Sequence, residues 1–330
     1  MATVVAFAAA LALAAAGTSA TRSVTSTSKA LGKTVYYLGC DASNPFCAAY
    51  NKTMEAALKG RGYSVTSLYN KFDPATQAQQ MAQATAQKPA AIVVFVADST
   101  AIIPSLARAY AKKIPVVVVG SLVASAGLKY IAVANLQNST ALGTYAGMNL
   151  VEGMKKQGLA KGNVIALTGT SSQIDVQQRM AGFKGYLAKY PQFKLVESQD
   201  AGWDPIKSAT LAKTLYAKYA SRGGIQGAYG MADYMATAAA TAAKSAGFKV
   251  GLPKGIVFTG SNCSSAGVTA IKSGQLYGDA TQSPKVEAAA AARDALAVLS
   301  GKKFANKIVL NPEARFTKAN LAKYAAQCTY

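Results

Sequence analysis

A chain of 330 residues without a single histidine lacks the commonest routes to side-chain chemistry. Ser-His-Asp and Cys-His nucleophile pairs are excluded, and so is the usual zinc ligand. Carboxylates, lysines and four cysteines remain. Cys40 beside Asp41 is the one pair resembling a nucleophile and base, and a carboxylate seldom activates a thiol without an imidazole. The expectation is a protein that is not an enzyme and needs no cofactor and no metal.

The other residues with chemical reach are polar groups that follow apolar runs. Runs at Val35–Leu38, Ile92–Val96, Val116–Val119, Val164–Leu167, Ile225–Tyr229 and Ile256–Thr259 lack alternation. They read as strands buried on both faces of a parallel sheet. Behind them stand Asp41 and Asn44, Asp98, Gly120-Ser121, Gly169-Thr170, Trp203-Asp204, Ala232-Asp233, Asn262 and Gln282. Ligands of open α/β sheets sit beyond the carboxyl ends of the strands, so this set is the candidate site. It is mostly uncharged and contains the chain's only Trp. Each member also has a plainer role open to it. Asp98 and Asp204 suit helix caps better than ligand contact, Asn44 and Asp233 could serve only as caps, and Trp203 could be core.

The elements that would position these groups are well marked. Asn44-Pro45, Asp73-Pro74, Asp204-Pro205 and Ser283-Pro284 each set a capping residue before a proline at the first helical position. Gly60, Gly62 and Gly247 end helices. Strand and helix alternate over about ten units, more than one sheet comfortably holds, which implies an α/β protein with two doubly wound parallel-sheet lobes.

The formal charge is +21. Pairs such as Lys112-Lys113, Lys155-Lys156 and Lys302-Lys303 are spread along helix ends instead of clustering among aromatics. That pattern is a solvated basic surface, with no nucleic-acid partner expected. Val4 to Ala16 is an apolar run too short to span a bilayer, followed by small residues Gly17 to Ala20. Residues 1–20 are expected to be a signal peptide, with cleavage leaving a start between Ala16 and Arg22, and 21–32 a flexible leader. No basic residue precedes the run, which departs from the usual pattern. The expected place is periplasmic or extracellular, and the mature chain is not expected to insert in a membrane.

Several short motifs occur in a telling order. They are Asn44-Pro45-Phe46, Arg179-Met180-Ala181-Gly182-Phe183, Trp203-Asp204, Gly230–Asp233 leading into Met235-Ala236, Thr259-Gly260 and Thr281-Gln282-Ser283-Pro284. From about Gly32 to Lys323 the chain resembles the ribose-type periplasmic sugar-binding proteins, the type I solute receptors of ABC importers. The resemblance implies two lobes joined by a three-stranded hinge. One lobe would hold 33–136 and 283–309, the other 137–282 and 310–330, with crossovers near Asn135–Asn138, Gln282 and Leu310. It implies a monomer that takes a small molecule into the interlobe cleft and hands it to an importer permease. A ligand-sensing receptor for a membrane kinase or chemoreceptor, or a receptor for a non-sugar ligand, is the alternative. Carried over, the ligand residues are Asn44, Phe46, Ser121, Gln177, Trp203, Asp233, Asn262 and Gln282, and Asp41 joins them from its place after the first strand. Where family members carry charged readers this chain has Gly120-Ser121, Gln177 and Asn262, so a neutral reading set and a small polar ligand, uncharged or weakly charged, are expected: a sugar, sugar derivative or polyol.

Four cysteines in an exported chain fit two disulfides and allow three pairings. The lobes implied by the resemblance favour Cys40–Cys47 and Cys263–Cys328. The other pairings would staple lobe to lobe and oppose hinge opening. Four free thiols remain the alternative.

Overall fold

A computed structural model describes residues 33–330; the signal peptide and leader expected over 1–32 lie outside the described residues. The chain opens with β1 (Thr34–Gly39), α1 (Pro45–Lys59), β2 (Ser64–Tyr69), α2 (Pro74–Ala86), β3 (Ala91–Phe95), α3 (Ile103–Ala111), β4 (Val116–Val119) and β5 (Val133–Gln137). It continues with α4 (Ser139–Lys156), β6 (Gly162–Thr168), α5 (Ile174–Leu187), β7 (Phe193–Asp200), α6 (Pro205–Tyr219), β8 (Gly227–Gly230), α7 (Asp233–Ser245), β9 (Val257–Thr259), α8 (Ser265–Lys272) and β10 (Gly278–Ala280). Then come α9 (Pro284–Leu299), β11 (Ile308–Asn311), β12 (Arg315–Thr317) and α10 (Leu321–Tyr324).

The strands form two six-stranded sheets, ordered β11-β5-β4-β3-β1-β2 and β12-β10-β9-β8-β6-β7. The two orders are the same walk about a switch point, between β1 and β3 in one sheet and between β6 and β8 in the other. A crevice opens at such points. Pairing is parallel throughout except that β12 runs antiparallel to β10. The chain passes between the sheets after β5, after β10, and between β11 and β12, so the third passage follows Asn311.

The central strands are aliphatic because helices cover both faces: β3 and β4 are buried at every residue. Two apolar clusters flank the first sheet, one under α1 and α9, the other under α2 and α3. A third, larger cluster fills the second lobe. The four proline-marked starts are the starts of α1, α2, α6 and α9. Asn44, Asp73 and Asp204 cap them with side-chain oxygens, while Ser283 makes no such bond and its hydroxyl turns elsewhere.

Disulfides join Cys40 to Cys47 and Cys263 to Cys328, with Cα separations of 5.5 and 4.6 Å. Each lies within one lobe. The first closes the loop between β1 and α1, and the second ties the segment after α10 to the loop after β9.

Candidate functional site: the interlobe cavity

The carboxyl ends of both sheets face each other across a cavity with about 360 Å³ of empty space. Ten strands supply its wall in turn. Asn44 and Phe46 follow β1, Phe72 follows β2, Phe95 ends β3, Gly120 follows β4 and Gln137 ends β5. From the other lobe come Gln173, Asp175 and Arg179 after β6, Trp203 after β7, Tyr234 after β8, Asn262 after β9 and Gln282 after β10.

The rings make apolar faces. Trp203 is 9% exposed and its indole N–H donates to Gln173 Oε1 at 2.6 Å. Its backbone is left-handed at φ 61°, a strained choice for a bulky residue that the tight turn after Gly202 imposes. A Cβ on Gly169 would run into the indole, so that glycine lets the ring lie flat on the end of β6. Phe95 packs edge-on against both Tyr50 and Phe72.

The polar groups divide into those already paired and those left over. Asn44 Oδ1 accepts from Phe46 and Cys47 N–H groups at 3.0 and 3.3 Å, while its Nδ2 crosses the cleft to donate to Tyr234 OH at 2.9 Å. Asn44 is therefore both cap and interlobe contact. Gln173 Nε2 donates to the Val96 carbonyl at 3.1 Å, again across the cleft. Arg179, 1% exposed, donates to the Met231 carbonyl at 3.1 Å and to Gln282 Oε1 at 2.7 Å, with its guanidinium over the Trp203 ring. Burial pushes the Asp175 carboxyl above its ordinary value, against the pull of Arg179 one helical turn away. Four buried atoms of the wall residues have no protein partner: Gln137 Oε1, Asp175 Oδ1, Asn262 Oδ1 and Arg179 Nε. Buried polar atoms are nearly always paired, so these four have hydrogen-bonding capacity that the protein leaves unused. Three accept and one donates, the pattern that hydroxyl groups answer, since each O–H both donates and accepts.

Five of the nine expected ligand residues line this cavity: Asn44, Phe46, Trp203, Asn262 and Gln282. The other four lie elsewhere. Asp41 Oδ1 accepts from the Ser43 N–H and hydroxyl and shapes the disulfide loop. Ser121 is buried behind Gly120 with its hydroxyl 3.4 Å from Ser99. Gln177 faces outward and donates to the Ser171 carbonyl at 3.1 Å. Asp233 is fully buried beneath α8, where it accepts from the Ser264 N–H at 2.7 Å, and burial pushes its carboxyl up to about 6. The reading set is also not neutral, because Asp175 and Arg179 bring charge to it from α5. Arg179 had a visible signal, since it opens the Arg-x-x-Gly-Phe motif. Its inward direction depends on helix phase, and so does that of Asp175. Gly143 on α4 meets the Arg179 backbone so closely that a Cβ there would collide with it, which fixes that phase.

Trp203→Ala is expected to weaken ligand affinity at least tenfold, roughly 1.4 kcal/mol, through loss of an apolar platform. Unchanged affinity by calorimetry would make the indole a packing residue only.

Comparison with known proteins agrees with this geometry. Residues 35–303 match a family described as a periplasmic binding protein domain. The ribose import binding protein of Haemophilus influenzae is 26% identical over 266 residues, covering 80% of this chain and 85% of that protein. A xylitol-binding protein of Mycolicibacterium smegmatis is 27% identical over 277 residues, covering 84% and 74%. The crystal structure of a galactofuranose binding protein superposes with a TM-score of 0.81 at 19% identity, over 89% of this chain and 97% of that one. With two parallel-sheet lobes, a shared cleft and a match over most of its length, the chain belongs to the periplasmic binding protein family.

Proposed function

We propose that this protein is the extracytoplasmic solute receptor of an ABC importer, and that it closes on a small polyhydroxy molecule, a sugar or polyol, between its lobes. The observation that carries this reading is the set of four unpaired buried atoms, three acceptors and one donor, on residues that line the same cavity as Phe46 and Trp203. Aromatic faces take the apolar C–H faces of a sugar ring, and the polar atoms read its hydroxyls. The named relatives bind ribose and xylitol, the same chemical class. Asn44, Asp175, Arg179, Trp203, Asn262 and Gln282 are the proposed ligand residues, and no chemical step is assigned to any of them. Hinge closure couples occupancy to shape, so a membrane permease can distinguish the loaded receptor from the empty one. Export through the segment expected over residues 1–20 completes the reading.

The test is a thermal-shift screen of pentoses, hexoses, polyols, nucleosides, amino acids and small carboxylates, followed by calorimetry. A ligand at a hundredfold excess over its Kd stabilises the native state by about 2.7 kcal/mol. Stabilisation confined to sugars or polyols is the expected result. Stabilisation by amino acids or carboxylates alone would overturn the assignment.

A further inference from the structure

The segment after Gln327 belongs covalently to the second lobe yet touches the first at three points. On the second lobe it is fixed by the Cys263–Cys328 disulfide. The Ser265 N–H and hydroxyl also donate to the Tyr330 main-chain oxygen at 3.1 and 2.7 Å. Toward the first lobe, the Ser283 hydroxyl at the start of α9 donates to the Gln327 carbonyl at 3.0 Å. Lys285 Nζ, on the same helix, donates to the Thr329 carbonyl and hydroxyl at 2.8 and 3.2 Å. The Tyr330 ring packs edge-on against Phe46, centroids 6.0 Å apart, as part of the apolar cluster under α1. Its hydroxyl is buried beside Asn262 without a settled partner, and burial holds its proton on well above the ordinary range. Phe46 and Asn262 both line the cavity, one from each lobe.

We propose that residues 327–330 are an interlobe strap, in which Tyr330, anchored to the second lobe, latches onto Phe46 of the first and holds the cleft shut. Tyr330 is a positioning residue: it backs Phe46 and Asn262 from behind the cavity wall. Because the strap is fixed to the second lobe, opening the hinge must both part the Tyr330 and Phe46 rings and break the Ser283 and Lys285 bonds that hold the strap to α9. The strap deepens the receptor reading above and rests on it for its purpose, but its mechanical consequence exists in the protein without any ligand.

That independence supplies the test. Trp203, the only Trp of the chain, sits at the closed interface, where Asn44 of the opposite lobe donates to its carbonyl at 3.4 Å. Acrylamide quenching of its fluorescence in the full, ligand-free chain reports how often the cleft opens. Tyr330→Ala is expected to raise the quenching constant about twofold or more by shifting the population toward the open form. The double variant Ser283→Ala with Lys285→Met, which leaves Tyr330 and the cavity wall in place, is expected to move it in the same direction. Tyr330→Phe, which keeps the ring, should stay near the parent protein. A rise in Tyr330→Ala with none in the double variant would reduce Tyr330 to a local space filler and overturn the strap. No rise in either would overturn the latch altogether. A sugar screen without hits would count against the receptor reading and leave these quenching outcomes unaffected.

Discussion

Arg179→Met is expected to weaken ligand affinity at least a hundredfold, about 2.8 kcal/mol, and to lower folding stability by about 3 kcal/mol. The side chain holds two neutral acceptors, the Met231 carbonyl and Gln282 Oε1, and keeps Nε free toward the cavity. It is also the cation whose field opposes, without cancelling, the rise that burial imposes on the carboxyls of Asp175, Glu287 and Glu313. Methionine fills the volume but leaves two buried acceptors unpaired and three carboxyls without a counter-charge. Gln282, on the passage between β10 and α9, then loses the partner that ties the hinge to α5. Calorimetry with the solute found by screening, and urea denaturation of the free protein, give the two numbers separately. An affinity within threefold of the parent would remove Arg179 from the reading set.

The second large effect concerns pH. Glu287, in the first turn of α9, and Glu313, between β11 and β12, meet at the hinge with buried oxygens that find no other partner. Burial, reinforced at Glu313 by the neighbouring Glu287 charge, pushes their carboxyls up to about 7 and about 10 respectively. One proton shared between two facing carboxyls explains both directions. Raised carboxyl values mean that the folded state keeps protons the unfolded state has released. The contribution of these groups is complete below about pH 4.5 and is lost as pH rises, from both between about 4.5 and 7 and from Glu313 alone above that. Glu313→Gln keeps a donor without the acid. It should match the parent near pH 4.5 and be more stable by roughly 2–3 kcal/mol at pH 8, with a flatter profile between. Denaturation midpoints measured across that range check it. A variant less stable than the parent at pH 8 would show that the ionised pair is tolerated.

The sequence made the scaffold legible wherever burial on both faces forced an aliphatic run. β1, β3, β4 and β6 fall within or around such runs, and proline after a capping residue located α1, α2, α6 and α9. Edge strands gave no such sign. β2 reads Ser-Val-Thr-Ser-Leu-Tyr, half-buried between exposed ends, and β7 is mostly half-buried without alternation. β10 and β12 are three residues each, too short to leave a period. In the site, residues in the loop right after a strand could be named from order alone, as with Asn44, Trp203, Asn262 and Gln282. Asp175 and Arg179 reach the cavity from within α5, and a rule that looks only at strand ends passes over them. Asp233 fails the rule in the opposite way. It follows a strand, but Gly260 and Gly267 let neighbouring backbone close over it, so a residue at the right place in the chain is walled off in three dimensions.

The interleaving of the two sheets has a consequence for how the molecule is made. Asn311 on β11 bonds to Asn135 on β5, 176 residues earlier, so the first sheet gains its last strand only when nearly the whole chain exists. The second sheet waits still longer for β12. Neither half can be cut out as a contiguous piece with its sheet complete, and each is finished by a strand that follows most of the other. Closing loops of that length must precede the contacts that reward it, which places folding among the slower topologies, milliseconds to seconds or beyond. A nascent chain of this design remains pliable until its final fifty or so residues arrive, and then both lobes set almost together.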